Sequence, residues 1–306
     1  MECSYVIEAR NLTKKYKKFT LDIDHLRVPK GFATALIGEN GAGKTTLLNI
    51  LAGIRLDYKG EITYFGEYSD KDRESNPYVK ENIGYTGPGN YYLPQWTIGQ
   101  VGKVGELLFE NFHMDRFEDW CNQLAVGPAQ GEKKQKVSAL SDGNRMKLML
   151  AGVLARDTKL LLLDEPASPL DPLMRDRLCE MIQNYISEDE GNRSVFFSTH
   201  NVADMENITD YAIIMSSGKI AEAGFVEDLK EKYLFVKGEV KDIPVAKGVM
   251  YTMTSNKYGF EGICLAENAA GLAGLDVTIE APSLSQISVA VMKRNSRMEQ
   301  NTEKVG

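Results

Sequence analysis

The densest chemistry in this chain of 306 residues lies in eight of them, Gly38-Glu39-Asn40-Gly41-Ala42-Gly43-Lys44-Thr45. A glycine, four free positions and then Gly-Lys-Thr is the spacing of a loop that wraps polyphosphate. Glycines let backbone N–H groups come close to phosphate oxygens, and a helix opening at the lysine adds the partial positive charge of its N-terminus. Lys44 is expected at the β and γ phosphates of a nucleotide and the Thr45 hydroxyl on Mg²⁺, with Thr46 beside them in the nucleotide site.

Two carboxylates form the second group. In "LLLLDEP" an apolar run delivers Asp164 and Glu165 together, and ionised carboxylates at a buried strand end are costly unless a cation or a proton transfer uses them. Asp164 is the expected Mg²⁺ partner and Glu165 the general base for an attacking water. His200 ends the next apolar run, "VFFSTH", which in a parallel sheet brings it to the edge that carries Glu165. Asp171 stands before Pro172 and reads as an N-cap.

These residues need a particular scaffold. Residues 5 to 37 alternate like strands, ending in the buried run "FATALIG", and Leu47, Leu48, Leu51 and Ile54 then recur at helical spacing. The glycine-rich loop therefore joins a strand to a helix, as its chemistry requires. Residues 60 to 86 read as short strands and polar loops, and about 97 to 158 as a helical insertion. From 159 a strand, a helix and two further strands, the last running through "YAIIMSSGKIAEAG", restore an α/β rhythm. Beyond about 236 the chain reads as short strands with a closing helix and, from 296, a frayed polar tail. The expected fold is α/β: a P-loop NTPase (RecA-like) core with a mostly parallel sheet, an antiparallel β subdomain, a helical insertion and a small C-terminal α+β extension.

A formal net charge of −7 argues against a nucleic-acid partner held by a broad positive field. Four cysteines at 3, 121, 179 and 264 form no CxxC pair, so a reducing compartment is expected, with neither a disulfide framework nor a zinc site. No basic-then-apolar leader opens the sequence, and no apolar run approaches the roughly 18 to 20 residues of a membrane span. Any membrane role is expected to come through a partner.

The phosphate loop, "LSDGN", "LLLLDEP", "ASPLD" and "STH", in this order, resemble the nucleotide-binding subunit of ATP-binding cassette (ABC) transporters over residues 5 to 235. Residues 236 to 295 resemble the small extension of some bacterial ABC-2 type exporter ATPases. The resemblance implies two ATPase subunits, identical or related, that sandwich ATP at the cytoplasmic face of the membrane and drive a separate integral membrane permease. It further implies that Ser141 and the backbone of Gly143, in the signature turn Ser141-Asp142-Gly143-Asn144, grip the γ-phosphate held by the opposite subunit. It also implies that Asp171 speaks across the dimer and that Tyr16, 28 residues before Lys44, stacks on adenine.

The chain departs from the family twice. Asp142 and Asn144 stand where Gly and Gln are usual, and a carboxylate about 6 Å from a phosphate charge is opposed by roughly 3 kcal/mol. An outward Asp142, offset by Arg145 or Lys147, is expected. Pro88 or a neighbour falls where the family usually has a glutamine that links Mg²⁺ to the coupling surface, and Gln95 lies too far along. Tyr91, Tyr92 and Trp96, in the same loop, are either docking anchors for the permease or core residues. Two alternatives stay open, a low-activity regulatory subunit and a soluble ABC clamp. A GTPase is excluded, since "NKYG" at 256 to 259 lacks the aspartate of a guanine reader.

Overall fold

The computed structural model describes residues 4–89, 91–126 and 135–303. Strands β1 (Tyr5–Lys15) and β2 (Thr20–Pro29) pair antiparallel, and β3 (Ala33–Gly38) runs into helix α1 (Lys44–Leu51). Strands β4 (Lys59–Tyr64) and β5 (Tyr68–Ser69) complete a first sheet of order β2-β1-β4-β5. Two short helices follow, α2 (Asp70–Ser75) and α3 (Pro77–Glu81), then strand β6 (Ile83–Thr86). Polar loop was expected here. The helices form because Ser69 and Asp72 make a reciprocal capping box and Asn76 caps a turn that begins with Pro77.

The helical insertion comprises α4 (Ile98–Leu108), α5 (Met114–Gln123) and α6 (Asp142–Leu154). Thr97 and Gln100 cap α4 reciprocally. The Ser141 hydroxyl caps α6 by accepting from the Asn144 amide at 3.3 Å.

Strand β7 (Leu160–Asp164), helix α7 (Pro172–Ser187), strand β8 (Ser194–Thr199), strands β9 (Tyr211–Ser216) and β10 (Lys219–Phe225) and helix α8 (Val226–Lys232) follow. The second sheet has order β10-β9-β3-β8-β7-β6, parallel except for the β9–β10 hairpin. The single strand expected over 211 to 224 is thus two strands, since Ser217 and Gly218 both take positive φ and turn the chain back. Every residue of β3, β7 and β8 is buried, as parallel strands covered on both faces must be. Asp164 and Ser198 are register partners.

The C-terminal unit holds β11 (Tyr233–Gly238), α9 (Ile243–Val249), β12 (Thr252–Asn256), β13 (Gly259–Leu265), β14 (Val277–Glu280) and α10 (Leu284–Glu303), with sheet order β12-β13-β11-β14. The division expected between 235 and 236 falls inside β11, whose pairing to β13 already begins at Tyr233. The tail expected to fray from 296 continues α10 as far as Glu303, and residues 304–306 lie outside the described residues. Glu206, beyond β8, ties this unit to the core by accepting from the Leu284 amide at 2.8 Å, and it also pairs with Lys230 of α8 at 3.5 Å.

Cys121, Cys179 and Cys264 are free and buried, and Cys3 lies outside the described residues. Among the described residues no helix is long and apolar enough to cross a membrane.

Candidate functional site

Strand β3 ends at Gly38, and α1 begins six residues later with no side chain capping it. Its first-turn N–H groups therefore have no acceptor of their own within the helix. The loop between turns through Gly41 and Gly43, both at positive φ, and a Cβ at Gly43 would meet the Phe19 ring at 2.7 Å. Over it opens a cavity of about 710 Å³ lined by Glu39, Asn40, Gly41, Gly43, Lys44, Thr45 and Thr46, with Tyr16, Phe19, Pro88, Glu165, Ser168 and His200 around them. Gly38 and Ala42 are buried beneath.

Lys44 is buried and spans the site: its ammonium donates to the Gly38 carbonyl at 2.7 Å and the Glu39 carbonyl at 3.3 Å, and pairs with Glu165 Oε1 at 3.3 Å. The other Glu165 oxygen lies 2.7 Å from His200 Nδ1. Glu165 itself sits at φ 51°, a left-handed conformation unusual for a glutamate. Residues held there cost on the order of 1 kcal/mol and persist where the surroundings dictate them. One such constraint is Ser198, whose hydroxyl accepts from the Glu165 amide at 2.9 Å.

Asp164 is completely buried. The Ser198 hydroxyl donates to Oδ1 at 2.5 Å, and Oδ2 has no partner among the described residues. Burial pushes its pKa up, against hydrogen bonds from Ser198 and Thr45 that pull it down. An orphaned carboxylate oxygen beside a threonine hydroxyl fits a hard divalent cation that takes one or two protein ligands and completes its shell with phosphate and water. Among the described residues no cluster of three or more His, Cys, Asp and Glu offers an all-protein cage, so the donor set suits Mg²⁺ carried by a nucleotide.

Tyr16 is 39% exposed on the cavity rim, with the Lys14 and Arg55 cations 5.3 and 5.6 Å from its ring centre. The signature residues lie apart from this cavity, at the N-terminus of α6. Asp142 points outward, 88% exposed and 3.1 Å from Arg145. Gly143 passes so close to the Pro169 carbonyl that a Cβ would meet it at 2.7 Å. Asp171 caps α7, accepting from the Met174 amide at 3.1 Å.

The aromatic trio divides: Tyr92 and Trp96 pack against the main core, and only Tyr91 is exposed, at 43%. Phe19 and Ser198 went unnoticed in the sequence. Phe19 had a signal, a second aromatic residue three positions after Tyr16; Ser198 had none, because its value lies in two partners 33 and 34 residues away.

Residues 21–168 match the family model described as ABC transporter. The nickel import ATP-binding protein NikO of Rhodobacter capsulatus is 29% identical over 65% of this chain and 80% of its own length. The energy-coupling factor transporter ATP-binding protein EcfA2 of Ligilactobacillus salivarius is 26% identical over 90% of this chain and 96% of its own. Longer relatives are matched only in part, as with the ABC transporter ced-7 of Caenorhabditis elegans, 30% identical over 74% of this chain but 13% of its own length. Among solved structures, the ATP-binding subunit of an ABC transporter superposes with a TM-score of 0.62 at 22% identity, covering 74% of this chain and 92% of that one. The ATP-binding cassette MJ0796, a dimer in a post-hydrolysis state bound to ADP and Pi, gives 0.61 at 18% identity over 72% and 98% of the two chains. The fold is that of the P-loop ABC ATPases, and residues 21–168 are similar to the ATP-binding domain of ABC transporters.

Proposed function

We propose that this chain hydrolyses ATP to drive a separate integral membrane permease, as one of two ATPase subunits that close on each other at the cytoplasmic face of the membrane. The observation that carries the reading is Glu165, held between Lys44 at 3.3 Å and His200 at 2.7 Å in a cavity floored by the phosphate loop. A triphosphate entering that cavity meets the free N–H groups of α1 and the Lys44 ammonium. Glu165 takes a proton from the attacking water, whose oxygen bonds to the γ-phosphorus as the bond to the β-bridging oxygen breaks. His200 holds Glu165 in place, and with Lys44 it stabilises charge on the departing phosphoryl group. Mg²⁺, when bound, neutralises charge on the phosphate oxygens, and Asp164 with Thr45 would hold it.

The signature turn of α6 and Asp171 serve the opposite subunit's nucleotide in this scheme. The proposed direction is export, of a peptide, antibiotic or other amphipathic substrate, on the strength of the ABC-2-like extension at the C-terminus. Relatives named for import match 65% and 77% of this chain, and direction is assigned to the permease. Asp142 in the signature and Pro88 in the following loop favour a second reading, a low-turnover subunit paired with a more active cousin.

Calorimetric titration with ATP and Mg²⁺ is expected to give binding heat for the wild type and none for Lys44→Ala; equal heats overturn the nucleotide site. Purification from detergent extracts is expected to bring down an integral membrane protein. Only soluble companions would favour a clamp instead.

A further inference from the structure

The chain leaving β6 is squeezed between two functional groups. A Cβ on Gly87 would meet the Tyr85 hydroxyl at 2.4 Å and the Asp164 Cβ at 3.2 Å, so only glycine lets the backbone pass there. The Tyr85 hydroxyl donates to Asn49 Oδ1 at 2.9 Å. Asn49 lies four residues after Thr45 on α1, one turn along the same face. Tyr91 sets its ring edge-on against Tyr85, with centroids 5.6 Å apart.

A neutral phenol gives one hydrogen and accepts at two sites. Asn49 takes the hydrogen of Tyr85, which leaves the lone pairs of an oxygen beside Asp164 to accept. Asp164 Oδ2 is the buried oxygen without a partner. A cation there carries waters whose hydrogens need acceptors, and such outer contacts set metal affinity. We propose that Tyr85, oriented by Asn49 and Tyr91, accepts a hydrogen bond from a water on the cation that Asp164 takes, and is thereby a positioning residue for the metal of the ATPase site. Tyr91, 43% exposed on the loop that follows β6, ties that orientation to the protein surface. The inference rests on the nucleotide-site reading above.

Tyr85→Phe keeps the ring and removes the acceptor. Mn²⁺ binding to the full chain complexed with ATP, followed by electron paramagnetic resonance, is expected to weaken about tenfold. ATP binding without metal is expected to match the wild type, with a small drop in unfolding temperature because Asn49 Oδ1 loses its donor. Unchanged Mn²⁺ affinity in Tyr85→Phe overturns the proposal. Should that variant fail to fold, Asn49→Ala, which removes the acceptor that orients Tyr85, decides: a loss of Mn²⁺ affinity of about threefold supports the proposal and no loss overturns it. Lys44→Ala serves as the control, and ATP binding that survives it removes the nucleotide site itself rather than the role of Tyr85.

Discussion

Glu165 Oε2 and His200 Nδ1 lie 2.7 Å apart although 35 residues separate them in the chain. The parallel register explains the meeting: Asp164 on β7 is opposite Ser198 on β8, so the residues that follow each strand leave the sheet at one edge. An ionised carboxylate can only accept, so in this pair Nδ1 carries the hydrogen.

Glu165→Gln preserves shape and removes the base. Phosphate release is expected to fall by about 10² to 10⁴, with ATP binding retained in calorimetry. Wild-type turnover in this variant would remove Glu165 from its proposed role.

Ser198→Ala takes partners from two groups at once, the Asp164 carboxylate and the Glu165 amide. Leaving buried polar groups unpaired costs on the order of 1 to 3 kcal/mol. The urea midpoint is expected to drop accordingly. Phosphate release should fall with it, because Glu165 loses the contact that holds its left-handed backbone. A variant as stable as wild type would show that neither bond matters.

Asp157 joins α5 to the sheet through His113 at 2.7 Å, Arg116 at 2.5 Å and Arg193 at 3.5 Å. Burial works to raise its pKa, and the hydrogen bonds from His113 and Arg116 overcome it, leaving the carboxyl below its usual 3.8. A depressed native pKa contributes stability that is present above 3.8 and is lost as pH falls through the lower native value. Because the side chain is 44% exposed, solvent screening limits the gain to roughly 1 kcal/mol. Asp157→Asn is expected to lower the midpoint at pH 7, with the gap to wild type closing in acid below pH 3.8. A gap that persists unchanged in acid would assign the loss to packing.

Asp142→Gly tests whether the extra carboxylate opposes closure of two copies. With Asp142 turned outward onto Arg145, ATP-dependent self-association measured by light scattering is expected to change less than about tenfold. An inward carboxylate would be worth roughly a hundredfold at an effective dielectric near 20. A gain of that size on substitution would show that Asp142 swings toward phosphate when subunits meet.

The residues from Gly38 to Thr46, the pair Asp164 and Glu165, and His200 were legible in the sequence because their requirements are local. A glycine-rich turn must bring N–H groups to phosphate, and an apolar strand must end where its carboxylates are useful. Strands β3, β7 and β8 announced themselves as unbroken apolar runs for the same reason. What α2 and α3 needed was also local, a capping box and a proline-led turn, but each is six residues or fewer and too short for helical periodicity to register. Tertiary structure alone decided that Tyr92 and Trp96 join the core while Tyr91 faces outward, that Ser198 serves the Asp164 carboxylate and the Glu165 amide, and that Tyr85 stands between Asn49 and Gly87. Those choices depend on which segments a parallel sheet sets side by side, and residue types along one segment carry no record of the partners that register will bring to them.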